Sequence, residues 1–291
     1  MNKFIIILSL LFLQMNLWAS EAIQTETLKD VELKVRQLNN IYKSNNVLVV
    51  FDIDNTVLAS EKELGSAQWF SWQEELMNKK SPSPYKITDD FDKLLQAQGL
   101  LFYRNRMRMP EEISSQRMIA EIQDSGNVTF ALTSRGHEFK YQTIRELLRN
   151  GIDFSKSSPM FIGKYYKVEP AFEKGHLKNK YGFTDQELVN FNLLKPRDVQ
   201  YLDGVFYTAG QHKGAMLRIF IKEAKLSPKA IVFVDDTQTH IDNVHLAFNK
   251  SGIEIITFRY SAEDKNVNSF ELKDKEDINQ EWLELSNLVN F

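Results

Sequence analysis

Val47-Leu48-Val49-Val50-Phe51-Asp52-Ile53-Asp54-Asn55-Thr56-Val57-Leu58 is the stretch on which the reading of this chain turns. Its five apolar residues, Val47 to Phe51, run together without a polar alternation. That pattern describes a strand buried on both faces of a parallel sheet. The strand leads directly into two carboxylates one residue apart, Asp52 and Asp54, followed by Thr56. In open α/β sheets, ligands bind beyond the carboxyl ends of the strands. Aspartates favour neither strands nor each other's company, so packing gives no reason for this pair, whereas a cation or a reacting electrophile does.

Working outward, two more strands of the same buried kind end in polar chemistry. Asn127 to Leu132 delivers Thr133-Ser134-Arg135-Gly136, where hydroxyls and free backbone N–H groups at a strand-to-helix turn suit phosphate oxygens. Ala230 to Val234 ends in Asp235-Asp236-Thr237, a second acidic pair. Between them, Val199 to Thr208 reads as a hairpin turning at Asp203-Gly204, with Asp203 a turn residue. Lys213 stands just ahead of a helix, where the macrodipole disfavours a cation, so an anion is expected to meet it. His212, His240 and His245 show no ligand spacing and read as ordinary loop or helix residues.

The intervening segments have helical patterning. Residues 23–41 read as an amphipathic helix, and Tyr141, Ile144 and Leu148 read as one apolar helix face capped by Asn150-Gly151. Strands alternating with amphipathic helices imply an α/β, doubly wound (Rossmann-like) parallel sheet. Residues 61–123 are rich in aromatics, including Trp69, Phe70 and Trp72, and are interrupted by Ser81-Pro82-Ser83-Pro84. They read as a mostly helical insertion over the end of the first buried strand. Arg104, Arg106 and Arg108 within it read as a solvated charge run in preference to an anion-steering patch. Residues 155–198 read as a second insertion or an elaborated edge, and the tail after Phe258 as charged and helical.

The first 22 residues have a separate logic. A basic start at Lys3, an apolar run from Phe4 to Leu13 and small residues around Ala19 and Ala22 have the layout of a signal peptide. Export follows, to the periplasm or beyond the cell, with cleavage after Ala19 or Ala22 and no stable membrane association afterwards. The chain has no cysteine, which excludes disulfides, thiolate metal sites, thiol nucleophiles and a lipid-modified cysteine at the cleavage site. A formal net charge of −3 without a basic stripe gives no support to nucleic-acid binding.

Taken together, the strand ends supply two acidic pairs, a hydroxyl and one cation. Hard carboxylates suit Mg²⁺, which also relieves the repulsion between them and a phosphate. The lysine and the hydroxyl suit a phosphoryl group, and an aspartate suits the nucleophile.

This ordered set resembles the haloacid dehalogenase (HAD) superfamily of phosphohydrolases over roughly residues 47–244. Phe51 to Val57 is similar to its first motif, Leu132-Thr133-Ser134-Arg135 to its second, His212-Lys213-Gly214 to its third and Val234-Asp235-Asp236 to its fourth. The resemblance implies that Asp52 is the nucleophile, forming an aspartyl-phosphate, and that Asp54 is the general acid/base. It implies that Thr133, Ser134 and Lys213 hold the phosphoryl group, and that Asp52, Asp54 (through its carbonyl), Asp235 and Asp236 hold Mg²⁺, Asp236 alternatively orienting Lys213. It divides the chain into a core of residues 23–60 and 124–291 and a cap of residues 61–123, the position where substrate is usually chosen. Export and this core together are similar to bacterial class B and class C acid phosphatases, although Asn55 stands where those enzymes usually have an acid. The expected activity is Mg²⁺-dependent hydrolysis of a small phosphomonoester. Phosphotransfer to an alcohol would use the same residues. A binding or effector protein that recognises a protein partner through the cap is the reading from a different class.

Overall fold

The computed structural model describes residues 20–79, 82–111, 114–160 and 163–289. Residues 1–19, most of the expected signal peptide, lie outside the described residues. In chain order the elements begin with β1 (Ser20–Thr25), α1 (Leu28–Tyr42), β2 (Val47–Phe51) and β3 (Ala59–Ser60). Helices α2 (Ala67–Asn78) and α3 (Phe91–Arg104), β4 (Met107–Arg108) and α4 (Ser114–Asp124) follow. Then come β5 (Val128–Thr133), α5 (Lys140–Arg149), β6 (Glu169–Pro170), α6 (His176–Asn179) and α7 (Asp185–Asn190). The chain continues through β7 (Asp198–Leu202), β8 (Val205–Tyr207), α8 (Lys213–Glu223), β9 (Ala230–Asp235) and α9 (Gln238–Phe248). It ends with β10 (Glu254–Tyr260), α10 (Asp264–Leu272) and α11 (Glu276–Val289).

Eight strands form the central sheet in the order β1-β10-β9-β2-β5-β8-β7-β6. From β1 to β8 all pairings are parallel, and β7 and β6 add an antiparallel edge. Helices cover both faces, giving the Rossmann-like α/β architecture that the buried strand runs imply. β2 sits near the centre, every residue buried, between β9 and β5. One face packs Leu48, Phe130, Ile231 and Phe233 against α8 and α9; the other packs Val47, Val49 and Val232 against α1 and α4.

Two readings need correction. The helix expected from residue 23 begins at Leu28, where the Thr27 hydroxyl accepts the Lys29 N–H; Ser20–Thr25 is instead an edge strand beside β10. Tyr141 and Leu148 do not line the buried face of α5. Both are exposed, and Thr143, Glu146 and Leu147 are buried, because Glu146 accepts from Arg106, Arg145, Arg149 and Met107 N. The expected hairpin, by contrast, is present: Asp203 (φ 48°) and Gly204 (φ 76°) make its two-residue turn, as positive φ at both positions requires.

Of the helices in residues 61–123, α4 packs against α1 and the sheet, while α2 and α3 build a separate apolar centre. That centre joins Leu64, Trp69, Leu94, Ala97 and Leu101 to Phe270, Ile278 and Trp282 from the far end of the chain. Trp69 and Trp282 meet with ring centroids 6.2 Å apart. The β3–β4 pair, Ala59 opposite Arg108, closes the neck through which the chain leaves and re-enters the sheet layer. Residues 163–198 carry little regular structure but bury Tyr165, Phe172, Tyr181, Phe183 and Phe191 against one sheet face.

Candidate active site

The site is built at the carboxyl ends of β2, β5, β8 and β9. After Asp52, whose N–H still bonds Val234 O of β9 at 2.8 Å, the backbone curls tightly. Ile53 O accepts the N–H groups of Thr56, Val57 and Leu58, and Asn55 takes φ 57°, a conformation asparagine tolerates well. The curl brings Asn55 and Thr56 over the end of β9. Thr56 Oγ1 accepts Asp236 N at 3.1 Å, and Asn55 Nδ2 lies 3.4 Å from Asp236 Oδ2. Among the described residues, Asp52, Asp235 and Asp236 can bring carboxylate oxygens within 4.8 Å of one another.

Lys213 lies at the heart of this group, its side chain 1 % exposed. Its Nζ donates to Asp52 Oδ1 and, at 2.7 Å, to Asp235 Oδ2. An ammonium has three donors, so one remains for another partner on the cavity side. Helix α8 can approach α9 this closely because Gly214 lacks a side chain; a Cβ there would lie 2.1 Å from Asn243 O. His212 caps α8 by accepting Ala215 N–H and stacks on Phe191, and burial lowers its pKa to about 4.

Burial and crowding shift the acids in different directions. Burial raises Asp52 to about 6, Lys213 opposing and Asp235 and Asp54 adding to it. Asp236 is pushed well above the usual carboxylate range by burial and then by Asp235 and Asp52. In Asp235 burial is outweighed by Lys213 and His240, which hold it below that range. Lys213 itself is raised, because its two carboxylates outweigh its desolvation. One lysine thus satisfies two acids and leaves the third crowded.

Asp54 points elsewhere. Its carboxylate is held by Arg135 through Nε–Oδ2 at 2.8 Å and Nη2–Oδ1 at 2.7 Å, a two-pronged pair. Arg135 is itself buried, lies over the Phe102 ring and donates to Thr143 Oγ1. Thr133 Oγ1 accepts Arg135 N at 3.1 Å, which leaves its O–H to donate; Ser134 lines the cavity directly.

Sequence reasoning placed Asp52, Asp54, Thr133, Ser134, Lys213, Asp235 and Asp236 at one sheet edge, and the fold brings them there. It missed Arg135 as a functional contact, although an arginine in a tight turn opposite unmatched acids was a usable signal. It also misread His240, whose Nδ1 lies 3.0 Å from Asp235 Oδ1; its position one turn into the helix after an acidic pair was the clue. The arginine trio is solvated, as read, and each member also holds an acid: Arg104 pairs with Glu281, Arg106 with Glu146 and Arg108 with Glu263.

Over the sheet edge lies a cavity of about 920 Å³, roofed by α2, α3 and α10 and reaching Asp52, Asp54, Ser134, Lys213 and Asp236 at its floor.

Fold and site define an α/β protein with an acid-rich centre at the carboxyl edge of a largely parallel sheet. The chain belongs to DUF2608, described as a family of proteins of unknown function, whose sequence profile matches residues 24–291. It is 19 % identical over 227 residues to a Chlamydia pneumoniae protein provisionally named as an outer membrane protein, covering 77 % of this chain and 72 % of that one. No solved structure matches. Among the described residues no helix is long and apolar enough to cross a membrane.

Proposed function

We propose that this protein is an exported, Mg²⁺-dependent phosphomonoesterase of the HAD type, with Asp52 as nucleophile and the layer of α2, α3, α10 and α11 as its cap. The observation that carries the reading is the convergence of Asp52, Lys213, Asp235 and Asp236 beneath a cavity, with Asp54 and Ser134 at its edge. Three carboxylates against one ammonium fit a hard divalent cation, since all the donors are oxygens and the like charges need relief. Asp52, Asp235 and Asp236 would hold it, and when bound it would offset negative charge on the phosphoryl oxygens.

The chain's own groups account for the remaining chemistry. An Asp52 oxygen attacks phosphorus, the bond to the leaving oxygen breaks, and that oxygen departs with the electron pair. The Lys213 ammonium and the Ser134 and Thr133 hydroxyls would donate to the phosphoryl oxygens. Asp54, fixed by Arg135, is placed to exchange a proton with the leaving oxygen and then with the water that attacks the aspartyl-phosphate. Water gives hydrolysis; an acceptor alcohol in the same position gives phosphotransfer.

Export rests on the basic–apolar–small pattern of the first 22 residues. Ser20, Glu21 and Ala22 pair with Ile255, Ile256 and Thr257, so cleavage after Ala19 preserves β1 where cleavage after Ala22 would remove half of it. The test is hydrolysis of an aryl phosphate by the chain from Ser20 onward, with Mg²⁺ and then with EDTA. Turnover that requires the metal and is lost in Asp52→Asn supports the reading. Metal-independent turnover, or turnover kept by Asp52→Asn, contradicts it.

A further inference from the structure

The three acids that converge on the cavity floor are held unequally. Asp236 takes only long side-chain contacts, from Thr237 Oγ1 at 3.2 Å and Asn55 Nδ2 at 3.4 Å. Asp52 receives Lys213 on one oxygen and Thr56 Oγ1, at 3.5 Å, on the other. Asp235 is gripped from three sides. It accepts the Thr237 N–H at 2.9 Å and Lys213 Nζ at 2.7 Å. The His240 ring completes the set, its Nδ1 lying 3.0 Å from Oδ1 and 3.2 Å from Oδ2. Two of these three donors, Thr237 N and His240, belong to the start of one helix, α9.

A carboxylate only accepts, so Nδ1 carries the shared hydrogen and the ring has one tautomer and one orientation. The ring stands beside the acid cluster and not in it. Among the described residues, the ligand atoms within 4.8 Å of one another belong to Asp52, Asp235 and Asp236. His240 therefore reaches the cluster through Asp235, and its ring makes no other hydrogen bond among the described residues. Lys213 is a less constant support. Its ammonium is shared with Asp52, and it is the group that an incoming phosphoryl oxygen would attract and a divalent ion would repel. The Thr237 and His240 N–H groups serve no second acid, so they hold Asp235 whichever way Lys213 turns. Hydrogen bonds of this kind, one contact removed from a metal, fix the orientation of the ligating group and tune its affinity.

We propose that His240 is a positioning residue for the cation site: its Nδ1–H sets the plane of the Asp235 carboxylate, and through it the affinity of the floor for a divalent ion. This rests on the metal part of the phosphatase reading and on none of its bond-breaking steps.

The test titrates the full chain with Mn²⁺, follows the electron spin resonance of the free ion, and repeats the titration with Mg²⁺ as competitor. No turnover is needed. His240→Ala should weaken both ions by about 10–100-fold, the scale on which such outer contacts act. His240→Asn places an amide nitrogen where Nδ1 stands and should restore most of that affinity. His240→Gln carries its amide out to the place of Nε2 and should bind as weakly as His240→Ala. If His240→Ala does not fold, the contrast between Asn and Gln decides alone. Urea unfolding without metal separates a merely structural role, which would lower the unfolding midpoint and leave the affinity of the folded protein unchanged. Affinity unchanged in His240→Ala overturns the proposal. So does rescue by Gln and not by Asn, which would put Nε2 in direct contact with the ion. If the wild-type chain binds neither ion, the metal centre fails and the proposal with it. If His240→Ala loses affinity and Asn restores it while no phosphate ester turns over, the phosphatase reading fails and the positioning role stands.

Discussion

The floor and the roof of the cavity solve opposite problems. The floor is a closed electrostatic unit: Asp52, Lys213 and Asp235 are buried together and bonded to one another, and Arg135 grips Asp54. The roof has its own apolar centre, built from segments far apart in the chain, and turns Phe70, Phe91 and Phe102 to the cavity. On the phosphatase reading, the floor benefits from groups fixed in advance. On the same reading, the roof is where a ligand would be chosen. That reading puts the chemistry on the floor and the choice of substrate on the roof, and each side can be broken alone.

The largest effect is expected on the floor. Asp52→Asn should lower phosphatase turnover by about 10⁴-fold or more, the scale seen when a nucleophile is removed. Stopped assays with product quantitation measure this, while circular dichroism should show an unchanged fold. Lys213→Met acts on stability instead. It strands Asp52 and Asp235 in the interior and should cost about 3–5 kcal/mol in urea unfolding. Added Mg²⁺ should recover part of that loss, by binding the folded state.

On the roof, Trp282→Ala removes the partner of Trp69 and should cost about 3 kcal/mol. Hydrogen exchange should speed up in α2 and α10 while β2, β5 and β9 stay protected; equal loss in both regions would show that roof and floor are one cooperative unit.

The smallest effect is a pH dependence set between them. His212 has its pKa lowered by burial to about 4, against an ordinary value of 6.5. Between those values the unfolded chain takes up a proton that the folded chain refuses, so stability falls as pH drops through that window. With the ring partly open to solvent, roughly 1–2 kcal/mol is expected. His212→Asn, which keeps a capping side chain, should flatten the slope of unfolding midpoint against pH.

The floor was legible in the sequence because its signals are local. Uninterrupted apolar runs such as Val47 to Phe51 mark buried parallel strands, and acids directly after them have no packing explanation. The roof was only half legible. The aromatic content of residues 61–123 announced a separate apolar centre, but nothing in Phe270, Ile278 or Trp282 announces where their helices dock. The arginines at 104, 106 and 108 are solvated as their spacing suggests, but their partners, Glu281, Glu146 and Glu263, are too distant in sequence to be read from it. β1 was hidden for another reason. An edge strand with one exposed side alternates Glu21, Ile23 and small residues, a pattern too short to outweigh the helical spacing that follows. Residues 155–198 stayed opaque because single aromatics, Tyr165 and Phe172 among them, anchor the segment without any period.

The central claim is that Asp52 takes the phosphoryl group, and chemical trapping tests it most directly. Protein turning over an aryl phosphate with Mg²⁺ is quenched and reduced with borohydride, which converts an aspartyl-phosphate to homoserine, and peptides are then sequenced by mass spectrometry. Homoserine at position 52, absent at positions 54, 235 and 236 and absent without substrate, is the predicted result. Turnover with no homoserine at position 52, or with homoserine at another aspartate, would contradict the account.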